Sequence, residues 1–212
     1  MHDALEKHTV SVYFVDAAIR HLREDRREHV LAQAGISVQL LSAEHARVPA
    51  ASFSALWLAV ARELDDEFFG LDSRPMKVGS FALVAHAVLS CENLDRAIKL
   101  MLRAFRVFLD DIDAELHIEG CEAVVRVSNR ISCEADRRFA DETLLILVHG
   151  LMCWLAGKRV PLTKVCFAHA RLPAAREYAL MYCNRIEFDA DQTRMHFAGS
   201  ALSTAVVQAP PA

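Results

Sequence analysis

The chain has 212 residues, 53% of them hydrophobic and 25% charged, with a formal net charge of −4. That balance belongs to a globular chain with a sizeable core and excludes a disordered one. It also argues against a free-standing nucleic-acid module, whose affinity rests on a basic excess that neutralises phosphates.

The opening MHDALEKHTV lacks a long apolar run before a small-residue cleavage site, so no leader peptide is expected. Residues 9–34 read as helical, with Val12, Val15, Ile19 and Leu22 on one stripe and Gly35 as the stop. SVQLLSAEHARVP is a connector that ends at Pro49. From Ala50 an amphipathic helix is expected to about Phe69, burying Phe53, Leu56, Trp57, Val60, Leu64 and Phe68 and closed by Gly70. GSFALVAHAVLSCENLDRAIKLMLRAFRVF then reads as two helices with a polar break at Cys91, Glu92 and Asn93. Asn93 is suited to N-cap the second, because its side chain can accept from the free N–H groups of the first turn. That second helix puts Leu94, Ala97, Ile98, Met101, Phe105 and Phe108 on one face, and Arg96, Lys99, Arg103 and Arg106 away from it.

The period then changes. AELHIEGCEAVVRVSN, Ala114 to Asn129, alternates around Gly120 and reads as a β-hairpin. A long helix from about Glu134 to Ala156 ends at Gly157. Its apolar run LLILVHGLMCWLA has 13 residues, short of the ~20 that a bilayer span needs, so it is read as a core helix. TKVCFAHA reads as a strand, Pro173 starts a short helix, and IEF and TRMHF are short strands around the Asp189–Asp191 turn. The last residues, with Pro210 and Pro211, become irregular, although Leu202, Val206 and Val207 are expected to rest on the body. The fold class expected is α+β, mostly helical, with a small mixed or antiparallel sheet.

Chemical signatures are sparse. GxGxxG, GxxxxGK[ST] and GxSxG are all absent, and no catalytic constellation is visible, so an enzyme is not expected. Six cysteines form no CxxC pair and no two of the ten histidines stand at HxxxH spacing. Free buried thiols, no metal site and no cofactor follow. Asp65–Asp66 and Asp110–Asp111 read as solvated carboxylates at helix ends. The two helices around Asn93 imitate a helix-turn-helix, but a recognition helix must present an exposed polar face. The apolar stripe of this one makes it a packed αα-hairpin with a solvated basic side, and no residue of the chain is assigned to DNA. Candidate ligand-binding residues are the large or polar side chains that interrupt aliphatic faces: Phe81, His86, Phe105, Arg126, Trp154 and His169.

Read together, LAQAGIS, ARVPAASFSALW, VGSFALVAHAVLSCENLDRAIKLMLRAF and VPLTKVCFAHARLPAAREYALMYCNRIEFDADQTRMHF resemble, in order and spacing, the arabinose-binding-like N-terminal domain of AraC-family transcriptional regulators. The resemblance spans about Val12 to Gln208; the polar break departs from it, with CEN where a Ser-Pro-Thr-like turn is more usual. It implies a bacterial, cytoplasmic sensory domain that binds a small-molecule effector, forms a homodimer and touches no membrane. DNA would be read only by a C-terminal helix-turn-helix domain that these residues do not include. Residues 1–208 would be the sensing and dimerisation unit, divisible into a helical half (9–108) and an α+β half (112–200), with 209–212 the start of a linker. The alternative is a stand-alone protein-interaction module on the same fold.

Overall fold

The computed structural model describes residues 8–43, 45–172 and 175–208. Strand β1 (Thr9–Ser11) leads into helix α1 (Val12–Ile19), whose first turn is capped by the Ser11 hydroxyl accepting from the Tyr13 amide at 3.3 Å. Helix α2 (Glu24–Gln33) follows after a break, so the expected single helical stretch is two helices. The connector contains a 3-10 turn, Val38–Ser42, and strand β2 (Arg47–Pro49), which pairs antiparallel with β1.

Helix α3 (Ala50–Leu64) stops five residues short of the sequence expectation. Asp65 ends it in the left-handed region, at φ 51°, so Phe68 and Phe69 bury themselves from the following turn instead of from the helix. Asp66 is also not the solvated carboxylate expected of it. It is 2% exposed and accepts from the amides of Phe68, Gly70 and Met76 at 2.7–2.9 Å. Asp72 does the same for a distant segment, accepting from the amides of Asp110 and Asp111 at 2.9 and 2.8 Å. Buried carboxylates survive here because backbone N–H groups converge on them.

Helices α4 (Ser80–Val88) and α5 (Leu94–Phe108) form the αα-hairpin. Asn93 caps α5 as expected, accepting from the Arg96 amide at 3.1 Å. The hairpin of β3 (Ile112–Glu119) and β4 (Glu122–Asn129) turns at Gly120, which has φ +63°. Strands β5 (Leu162–Cys166), β6 (Ile186–Glu187) and β7 (Arg194–Ala198) complete a five-stranded sheet of order β3-β4-β7-β5-β6, antiparallel except for the β5–β6 edge. The α+β expectation is thus met, with a mixed sheet.

Helix α6 (Glu134–Ala156) is the axis of the core. By length and composition it could cross a membrane, since the helix extends ten residues ahead of the apolar run noted in the sequence; 72% of its most apolar window is buried inside the fold. Ala123, Val125 and Val127 of β4 and Met195 and Phe197 of β7 join it in one buried cluster. Phe139 of α6 meets Phe69 at 5.3 Å between ring centroids, and Phe69 meets Trp57 of α3 at 4.6 Å, tying the N-terminal helices to the same core.

After β7 a 3-10 turn (Gly199–Ser203) leads to a docked tail. Leu94 N donates to Thr204 O at 3.0 Å, Val206 N to Glu92 O at 3.2 Å and Val207 N to Leu155 O at 2.9 Å. Leu202 is buried and Val206 half-buried, but the Val207 side chain is 60% exposed, so the expected packing holds for two of the three aliphatics. Residues 209–212, read as the start of a linker, lie outside the described residues.

Candidate effector site

Helix α7 (Ala175–Met181) and α1 each send a tyrosine to the same residue of α6, Glu142. Helical spacing puts Arg138 and Glu142 of α6 on one face, four residues apart. Glu142 is fully buried. Its carboxyl accepts from the Tyr178 hydroxyl of α7 and, at 3.3 Å, from the Tyr13 hydroxyl of α1. Its backbone carbonyl accepts from the Tyr182 hydroxyl at 3.0 Å. Arg138 Nε donates to the Tyr13 hydroxyl at 2.9 Å, with its guanidinium 5.7 Å from the Tyr13 ring centroid. Three elements far apart in sequence are thus joined through one acid.

Burial pushes the Glu142 carboxyl up to about 7, against the pull of the Tyr178 hydrogen bond and the Arg138 charge. Burial also raises Tyr13 and Tyr178 above the ordinary tyrosine value, with Glu142 adding to both, so the phenols stay protonated donors. His169, in the loop after β5, brings Nε2 to 3.7 Å from Glu142 Oε1, while Nδ1 is paired with the Ala170 carbonyl at 2.9 Å. That carbonyl needs a donor, which leaves Nε2 as an unpartnered acceptor. Burial lowers His169 below its ordinary value, so the contact joins a neutral ring to the acid and is not an ion pair.

Outward from Tyr13 opens a cleft of about 920 Å³. Val12, Tyr13 and Asp16 of α1 form one wall; Leu41, His45 and Arg47 form the second; Arg176, Glu177 and Leu180 of α7 form the third. Arg47 braces the rim. It donates to Thr9 Oγ1 at 2.7 Å and Thr9 O at 2.9 Å, and pairs with the buried Glu177. A second cavity of about 850 Å³ lies between the tip of the β3–β4 hairpin and the 3-10 turn before the tail, and shares no wall with the first.

The sequence-derived candidates are dispersed over the fold. Phe105 is 2% exposed inside the core. Phe81 is half-buried at the start of α4, with its amide donating to Glu67 at 2.7 Å. His86 is exposed on α4, its Nδ1 paired with the Ala82 carbonyl at 2.7 Å. Arg126 donates to Glu119 at 2.7 Å on the outer face of the sheet. Trp154 is 44% exposed at the end of α6, where its carbonyl accepts from the Gln208 side chain. His169 alone of the six stands in the Glu142 cluster. Glu142, Tyr13, Arg138 and Tyr178 were not singled out in the sequence. The available signal was an acid opening the apolar run of a core helix, and a Tyr178–Tyr182 pair at helical spacing.

The family described as the arabinose-binding domain of AraC transcription regulator, N-term, matches residues 26–206. The chain is also similar to the ornithine utilization regulator of Pseudomonas aeruginosa, 25% identical over 164 residues, covering 77% of this chain and 48% of that regulator. The chain therefore spans about half the length of the curated relative it matches. Both similarities are to transcription regulators rather than enzymes.

Proposed function

The chain belongs to the family of arabinose-binding N-terminal domains of AraC transcription regulators, and on that premise we propose that it senses a small-molecule effector in the cleft beside Tyr13. The observation that carries the reading is the Tyr13–Glu142 hydrogen bond. A residue of the cleft wall is wired to a buried acid on the central helix, so that anything displacing Tyr13 disturbs the core. Occupancy shifts the balance between two arrangements of α1, α6 and α7 by the ligand's differential affinity for them. The C-terminal end of α6 holds the tail through Leu155 O, which gives the change a route towards a DNA-binding domain beyond these residues.

Homodimerisation and a cytoplasmic location belong to the same proposal and rest on the family. Exposed aliphatics on the αα-hairpin, Leu83 at 65% and Val107 at 59%, offer a surface for a second copy, and would equally serve a stand-alone interaction module. Sedimentation of the purified chain separates a dimer from a monomer.

The effector reading is tested by thermal-shift screening of a mixed panel of sugars, amino acids including ornithine, polyamines and carboxylic acids, followed by calorimetry on each hit. A saturable one-to-one response is expected, abolished by Ala179→Trp, which fills the cleft from an exposed position. Silence across the panel, or hits indifferent to Ala179→Trp, contradicts it.

A further inference from the structure

Two charged groups in the cleft lining have no partner among the described residues. Arg47 and Glu177 satisfy one another. Asp16 and Arg176, also in the lining, make no side-chain hydrogen bond or ion pair with any described residue. They stand on different walls, Asp16 on α1 and Arg176 on α7, and both are exposed. His45 and Asn184 are two further polar heads in the lining without a described partner. Between them the lining is aliphatic, with Leu41, Leu172 and Leu180.

Of the formally charged residues in the lining, Asp16 and Glu177 are negative and Arg47 and Arg176 positive, so the two signs balance. A ligand of net charge would gain one partner and meet a like charge. A neutral sugar could offer hydroxyls to both ions but no opposite charge to either, so it would forgo the stronger pairing of charge with charge. A ligand with an ammonium for Asp16, a carboxylate for Arg176 and an apolar body for the leucines answers all three features. Charge-assisted hydrogen bonds, and the fork geometry of a guanidinium on a carboxylate, make such recognition directional.

We propose that the effector is a zwitterion of the α-amino-acid class, its ammonium held by Asp16 and its carboxylate by Arg176. This deepens the effector reading above and rests on it.

The test uses the full chain and the proteinogenic α-amino acids as probes, added to the sugars, polyamines and simple carboxylic acids of the broader screen. Each amino-acid hit is compared with its primary amide, which lacks the carboxylate, and its Nα-acetyl derivative, which lacks the ammonium. Both derivatives are expected to bind at least about tenfold more weakly, as are the parent hits to Asp16→Asn and Arg176→Gln. Arg103→Gln, on the remote αα-hairpin, leaves affinity unchanged. Because Asp16 and Arg176 are exposed and have no partner among the described residues, both variants are expected to fold, and their melting without ligand checks it. A ligand from another class, or an amino acid held equally by its derivatives and by both variants, overturns this inference and leaves the effector reading standing. No response from any compound overturns both.

Discussion

Tyr13 donates its hydroxyl to the Glu142 carboxyl across 129 positions of sequence, and Arg138 donates to the same hydroxyl from the other side. Tyr13 is therefore a surface residue of the cleft and a partner of the most deeply buried acid at the same time. The relationship makes the state of Glu142 readable from outside, by pH and by ligand.

The pH dependence has a definite sign. Burial raises Glu142 from the usual carboxylate range to about 7. The folded state then holds its proton more tightly than the unfolded chain, so its contribution to stability is fully present below the unfolded value and is lost as pH rises through about 7. The size is on the order of 2–4 kcal/mol. His149 and His169, lowered by burial, act in the opposite sense as pH falls. The difference between wild type and Glu142→Gln isolates the acid. Denaturant unfolding from pH 4.5 to 8 is expected to show wild type losing stability relative to the variant as pH rises; parallel curves would contradict the assignment.

Phe105, 2% exposed on the inner face of α5, is expected to act as core. Phe105→Ala removes it from among Ile98, Met101 and their neighbours and should cost ~3–5 kcal/mol in chemical denaturation through lost burial and a cavity. A loss below about 1 kcal/mol would show that its surroundings collapse without cost.

The basic side of α5 is expected to bind no DNA specifically. Lys99 pairs with Asp95 at 2.8 Å, Arg106 with Asp113 at 2.6 Å and Glu115 at 3.0 Å, and Arg96 with Glu92 at 3.4 Å. Phosphate contact would have to break these pairs, in a chain of net charge −4. Fluorescence anisotropy against promoter DNA should show no specific binding by this chain tighter than about a micromolar at physiological salt.

The tail is expected to respond to Gly157→Ala. Gly157 ends α6 at φ +62°, and a Cβ there would stand 2.8 Å from Val207 Cγ2. The left-handed backbone and the collision together should cost about 1–2 kcal/mol. Hydrogen exchange should accelerate at Val206 and Val207, whose amides donate to Glu92 O and Leu155 O. Unchanged exchange there would mean that the tail is held by other contacts.

Local signals in the sequence are met where the structure depends on local chemistry. Asn93 caps α5, Gly120 turns the hairpin, and Gly157 closes α6 because each follows from the needs of one or two adjacent backbone groups. The end of α3 at Asp65 was not legible, since the apolar period runs on through Phe68 while the backbone does not. The three-residue strands β1 and β2 carry too little pattern to announce themselves. Asp66 looks solvated in sequence because the turn whose amides bury it is hidden by the apolar period that runs on through Phe68. The partners of Asp72 and Glu142 come from far along the chain, and Tyr13 and Tyr178 reach Glu142 only after the fold has formed. His169 was legible as a polar side chain interrupting an aliphatic stretch, although the strand that was expected to carry it ends at Cys166, and its neighbours were not legible.

The central claim, that this chain takes its effector beside Tyr13, is tested most directly by hydrogen exchange with and without a saturating hit from the thermal-shift panel. The account predicts slowed exchange in α1, Val12–Ile19, and α7, Ala175–Met181, with no change at Gly199–Ser203. Protection confined to Gly199–Ser203 and the hairpin tip at Gly120–Glu122, around the second cavity, would contradict it.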